Sequence, residues 1–109
     1  IDKVDYEAFV WIRDNVDPSF QKAILDPWKA TAFSAITGKF VYTRIHSTPK
    51  AADNQTYDFL KNGSMNTTFL RKNGISIIYA RVDEGDWAVE YKGNNPDLIK
   101  VAGNIYLLK

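Results

Sequence analysis

The sequence predicts an α/β domain: a mainly parallel sheet flanked by helices, with a C-terminal antiparallel β-hairpin. Three observations carry this. Val4, Ala8, Trp11, Ile12 and Val16 recur at helical spacing. Short runs of strand formers then alternate with helical stretches, a pattern that pairs strands in parallel beneath packed helices. Near the carboxyl end, Leu98–Ala102 and Ile105–Leu108 flank Gly103-Asn104, a two-residue hairpin signal.

The first helix runs over residues 3–16 and ends at Asp17-Pro18, because Pro disfavours helix in the residue before it. Ala23-Ile24-Leu25 is a short apolar run that reads as a buried strand. Asp26-Pro27 starts the next helix, with Asp at the N-cap and Pro at the first helical position. That helix covers 27–37, with Trp28, Ala32, Phe33 and Ile36 as its apolar members and Gly38 at its carboxyl cap. Residues 40–45 are rich in strand formers and give the second strand. A polar loop from His46 leads to Asp53, read as the cap of a helix over 54–61 that turns Tyr57 and Leu60 inward. Asn62-Gly63 stops it, Ser64 caps a short helix through Lys72 with Phe69 inward, and Asn73-Gly74 ends that one. Ile75 to Val82 is the clearest strand. After an acidic turn, Trp87, Val89 and Tyr91 alternate with Ala88 and Glu90 as a half-exposed strand or flap. The whole is a small Rossmann-like unit, read as one domain over residues 1–109.

Composition excludes several classes. Lys plus Arg number 14 against 13 Asp plus Glu, a net charge of +1, so there is no basic stripe for nucleic acid. Six Phe, six Tyr and three Trp supply enough apolar area for a folded core. No apolar run reaches the ~18–20 residues that span a bilayer. With no Cys there is no disulfide framework, thiol nucleophile or Cys-bound zinc, and one His precludes a multi-His metal site within one chain. The chain opens at Ile1, which suits a mature protein or a piece of a larger one, and we read it as the latter.

Several residues are candidates for a site. Asp26-Pro27-Trp28-Lys29 lies where the first strand ends and a helix begins, the place where open α/β sheets bind ligands. Asp26 there could hold a cation or position an acceptor group; the plainer reading is an N-cap beside a packed Trp. Asp26, Trp28 and Lys39 are expected to line this crevice as substrate-binding residues. His46, near Arg44, Ser47 and Thr48, could act as an acid–base group but has no identifiable partner. Ser34 and Ser47 show no nucleophile elbow, and Thr37-Gly38-Lys39 lacks the spacing of a phosphate loop, so no catalytic residue is assigned. Asp83, Glu84 and Asp86 around Gly85 suggest calcium ligands or, more simply, a solvated turn. Three N-glycosylation sequons, Asn54-Gln55-Thr56, Asn62-Gly63-Ser64 and Asn66-Thr67-Thr68, hint at an extracytoplasmic surface. Trp87 and Tyr91 fall on one side of their strand, where aromatic faces can stack on sugar rings, so Trp87 joins the substrate-binding candidates; core packing is the alternative.

Five segments carry a resemblance by their order and spacing: Trp11-Ile12-Arg13-Asp14-Asn15, Ala23-Ile24-Leu25-Asp26, Ile36-Thr37-Gly38-Lys39, Gly74-Ile75-Ser76-Ile77-Ile78-Tyr79 and Asn104-Ile105-Tyr106-Leu107. Together they resemble the soluble C-terminal domain of polytopic membrane glycosyltransferases of the GT-C class, which includes oligosaccharyltransferase catalytic subunits and dolichyl-phosphate-mannose mannosyltransferases. The resemblance covers most of the chain, though each segment is short. Oligosaccharyltransferases carry Trp-Trp-Asp-Tyr-Gly after the corresponding strand, whereas this chain has only Asp26-Pro27-Trp28, so sequon recognition does not carry over.

The resemblance implies a non-catalytic extracytoplasmic domain of a multi-pass, membrane-bound protein that transfers sugar from a lipid-phosphate carrier. The domain would help position acceptor or donor. The implied partners are the transmembrane portion of its own chain and a glycan or lipid-linked sugar, with no nucleic acid. No cofactor or metal is expected in the domain; a divalent metal and a polyprenyl-phosphate-linked sugar donor would belong to the parent. The alternative is a stand-alone carbohydrate- or protein-binding module of an extracytoplasmic protein. A third is an assembly domain with no ligand.

Overall fold

A computed structural model describes residues 1–44, 51–82 and 95–109. Helix α1 (Lys3–Asn15) opens on a capping box: the Asp2 side chain accepts from the Asp5 backbone, and the Asp5 side chain accepts from that of Asp2. Strand β1 (Lys22–Ile24) leads into a 3₁₀ turn (Pro27–Lys29) and helix α2 (Ala30–Thr37). The expected single helix over 27–37 is thus a tight turn followed by a regular helix. Asp26 caps it as expected, accepting from the Trp28 N–H at 3.0 Å. Gly38 closes α2 in the left-handed region at φ 71°, which a residue without Cβ adopts freely.

Strand β2 (Phe40–Val41) is shorter than the expected 40–45, although Tyr42 N–H still donates to Ala23 O at 2.8 Å. Helix α3 (Ala51–Lys61) includes Asp53 rather than being capped by it; the buried Asp53 carboxylate instead accepts from Thr43 Oγ1 at 2.9 Å. Gly63 and Ser64, at φ 76° and 58°, turn the chain sharply. Helix α4 (Thr67–Lys72) therefore begins later than expected, with Asn66 and not Ser64 as its cap. Strand β3 (Ile77–Tyr79) is the centre of the run over 75–82; Ile75 belongs to the turn, donating to Leu70 O. The hairpin β4 (Leu98–Ala102) and β5 (Ile105–Leu108) has the boundaries its sequence predicts.

The five strands lie in the order β2-β1-β3-β5-β4. Pairing is parallel from β2 through β1 to β3, and antiparallel from β3 through β5 to β4. The sheet is therefore mixed, and "mainly parallel" holds only for its first half. The reason is that β5 docks antiparallel beside β3, so the hairpin supplies two of the five strands, with β4 at the edge.

Side chains alternate across this sheet, as the strand period of two requires. Ala23, Leu25, Ile77, Tyr79 and Ile105 face Phe9, Ile12 and Phe33 of α1 and α2. Ile24, Ile78 and Tyr106 face Tyr57, Leu60 and Leu70 of α3 and α4. The result is three layers with an apolar core on each side of the sheet. Two residues expected inward point out: Val4 is 50% and Trp28 65% exposed. Phe9 and Ile12 fill the α1 stripe in place of Val4, and the tight 3₁₀ turn buries Pro27 and Lys29 while turning Trp28 outward.

Candidate functional site

The chain leaves β1 for β2 on one side, then returns through α3 and α4 to β3 on the other. The carboxyl ends of β1 and β3 therefore flank a topological switch point, where α/β sheets place ligands. Asp26 follows β1 there and is 1% exposed. Its Oδ1 accepts from Trp28 N–H at 3.0 Å and from the Tyr57 hydroxyl at 2.9 Å. One carboxylate oxygen thus fixes the turn and ties it to α3.

A second polar cluster lies on the other face of the sheet. Asp5, reaching from α1 and 1% exposed, is its centre. Its Oδ1 accepts from the Tyr79 hydroxyl at 2.6 Å, from Arg81 Nη1 at 2.9 Å and from Lys29 Nζ at 3.2 Å. Lys29 also donates to Arg81 O at 3.1 Å, and Arg81 donates to both Asp2 oxygens at 2.8 and 2.9 Å. Among the described residues two carboxylates meet two cations, and such pairing is the condition for burying charge at tolerable cost. Burial, with the Asp5 carboxylate accepting its proton, pushes the Tyr79 hydroxyl above the ordinary phenol range, so it stays a neutral donor. The Asp2 carboxyl is pulled from 3.8 down to about 2, first by the Asp5 backbone N–H and then by Arg81.

The expected site residues are only partly brought together. Asp26 and Trp28 share the strand end, Asp26 buried and Trp28 exposed. Lys39 precedes β2 and so lies at the opposite, amino end of the parallel strands. Its Nζ donates to Phe20 O at 2.6 Å, closing the loop after α1. Trp87 and Tyr91, like His46, Ser47, Thr48 and the group Asp83, Glu84 and Asp86, lie outside the described residues. The sequons divide by burial: Asn54, Asn62 and Asn66 are all exposed, but Thr56 and Ser64 are buried at 0%.

Sequence reasoning missed the Asp5 cluster. The Asp2-x-x-Asp5 spacing ahead of an apolar stripe is a local signal for its first half. Lys29 and Arg81 lie 24 and 76 residues from Asp5, and no local pattern links them. Among the described residues no three His, Asp or Glu converge as metal ligands, and no helix is long and apolar enough to cross a membrane. No protein-family model, curated protein or solved structure matches the chain.

Proposed function

We propose that this domain is a Rossmann-like extracytoplasmic unit of a multi-pass membrane glycosyltransferase of the GT-C kind. In this reading it contributes no catalytic group. It packs against the transmembrane portion of its own chain and helps place the acceptor or the polyprenyl-phosphate-linked sugar donor. Any divalent metal would be held by the parent's membrane portion, and nucleic acid is not a partner.

The observation that carries the reading is the division of labour at the carboxyl end of β1. Asp26 is spent on internal bonds that hold the turn, while Trp28 is 65% exposed beside it. Asp5, Lys29, Tyr79 and Arg81 are likewise bound to one another. An ordered polar scaffold under an outward indole suits contact with a partner or substrate, since an exposed Trp gives up much apolar area when covered. Acid–base chemistry would instead need a titratable group facing substrate.

The coding frame upstream of Ile1 tests this. The reading predicts about ten or more apolar segments of ~20 residues, each long enough to span a bilayer. A complete frame that begins at this point and lacks them contradicts it.

A further inference from the structure

Gln55 and Asp58 on α3, and Asn62 just past its end, follow one another at spacings of three and four, so they form one stripe. The sharp turn at Gly63-Ser64 folds α4 back beside that stripe, with Asn66 at its start. Between the two helices lies an open groove of about 240 Å³. Phe59, Phe69 and Met65 line its apolar part, and Gln55, Asp58, Asn62 and Asn66 its polar part.

The aromatic part is fixed in place. The Phe69 ring meets Tyr42 edge-on at 5.3 Å and lies 5.6 Å from Phe59. The amides are oriented as well. Tyr42 hydroxyl donates to Gln55 Oε1 at 2.7 Å, which leaves the Gln55 Nε2 protons to donate elsewhere. Asn66 Oδ1 accepts from Phe69 N–H at 3.0 Å, which leaves Asn66 Nδ2 in the same position. The side chains of Asp58 and Asn62 make no bond to another described residue.

We propose that this groove binds one pyranose ring of a neutral saccharide. A pyranose offers a C–H face to an aromatic ring and, around its edge, hydroxyls that both donate and accept. The groove supplies the complement: an aromatic face, two oriented amide donors, a third amide and one carboxylate acceptor. An apolar ligand would leave these polar groups unpaired, at a cost for each. An anionic ligand would meet Asp58, with no cation among the described lining residues. The volume lies below the ~300–1,000 Å³ of sites for drug-sized ligands, which suits a single ring. Asn62 and Asn66 are also sequon residues, so an attached glycan would crowd this rim.

The test is nuclear magnetic resonance on the 109-residue chain, made in a host without N-glycosylation. Glucose, mannose and N-acetylglucosamine are titrated separately while the side-chain amide signals of Gln55, Asn62 and Asn66 are followed. Saturable shifts at these amides with at least one sugar are expected. Asp58→Ala, an exposed change, should weaken binding about tenfold or more through loss of a hydrogen bond to a charged acceptor, with the backbone spectrum unchanged. Phe69→Leu should abolish binding by removing the stacking face; if it disturbs the fold, Asp58→Ala decides alone. No saturable shift with any of the three sugars, shifts confined to another surface, or native affinity in Asp58→Ala overturns the proposal. The inference stands on the groove alone. A groove silent to sugars beside a coding frame rich in membrane spans rejects this site and leaves the proposed function standing.

Discussion

Asp5 is the buried centre of the charge cluster beside β3. It gathers Tyr79, Arg81 and Lys29 around one carboxylate at 1% exposure. Asp5→Ala removes the buried carboxylate that Lys29, Arg81 and Tyr79 share, and we expect a loss of about 3–5 kcal/mol in urea unfolding. Tyr79→Phe removes a single hydrogen bond and keeps the ring, so its loss should be smaller, about 1–3 kcal/mol. Equal losses would mean that the Tyr79 hydroxyl bond, and not the pairing with Lys29 and Arg81, carries what Asp5 contributes. Asp2 gives the cluster a pH signature. Its folded value of about 2 lies below the ordinary 3.8, so it stabilises the fold above pH 3.8 and loses that contribution as pH falls towards 2. The urea midpoint should decline across that window, and less steeply in Asp2→Asn.

At the level of elements, the two ends of the second helical segment and the C-terminal hairpin were the most legible parts of the sequence. Asp26-Pro27 and Gly38 act as expected because a cap is a local bargain between one side chain and the nearest backbone groups. Gly38 offers a test of this. A Cβ there would meet nothing within 4 Å, so Gly38→Ala is penalised by its φ of +71° alone. The expected cost is about 1–2 kcal/mol in denaturant unfolding; a neutral substitution would mean the left-handed cap is not required. Where local logic failed, tertiary contacts had intervened. Asp53 resembles a cap in sequence, but Thr43 is its partner. Ser64 resembles a cap too, yet its φ of 58° belongs to the turn, and Asn66 takes the role. Trp28 fits an apolar helix stripe until the 3₁₀ turn changes the period and turns it outward.

For the whole molecule, the α/β class followed from alternating elements, but how the hairpin joins the sheet did not. Which strand the hairpin joins, and through which of its own two strands, depends on long-range pairing such as Ile78 with Tyr106. That pairing makes the sheet mixed and completes the apolar face that receives α3 and α4. The candidate site was legible in part, since Asp26 and Trp28 were placed by the rule of strand carboxyl ends. Lys39 stands before β2 and not after it, so it lies at the amino end of the parallel strands, away from that crevice, where it donates to Phe20 O. Under the proposed function, the outward strand end would position a substrate for chemistry performed elsewhere in a larger parent protein. Its most direct test is sugar transfer from a polyprenyl-phosphate donor in membranes carrying the full-length parent with Trp28→Ala. An apparent KM raised roughly tenfold for donor or acceptor, equivalent to ~1.4 kcal/mol of lost contact, with kcat retained is the predicted result. A collapsed kcat at unchanged KM, or kinetics identical to those of the native enzyme, would contradict it.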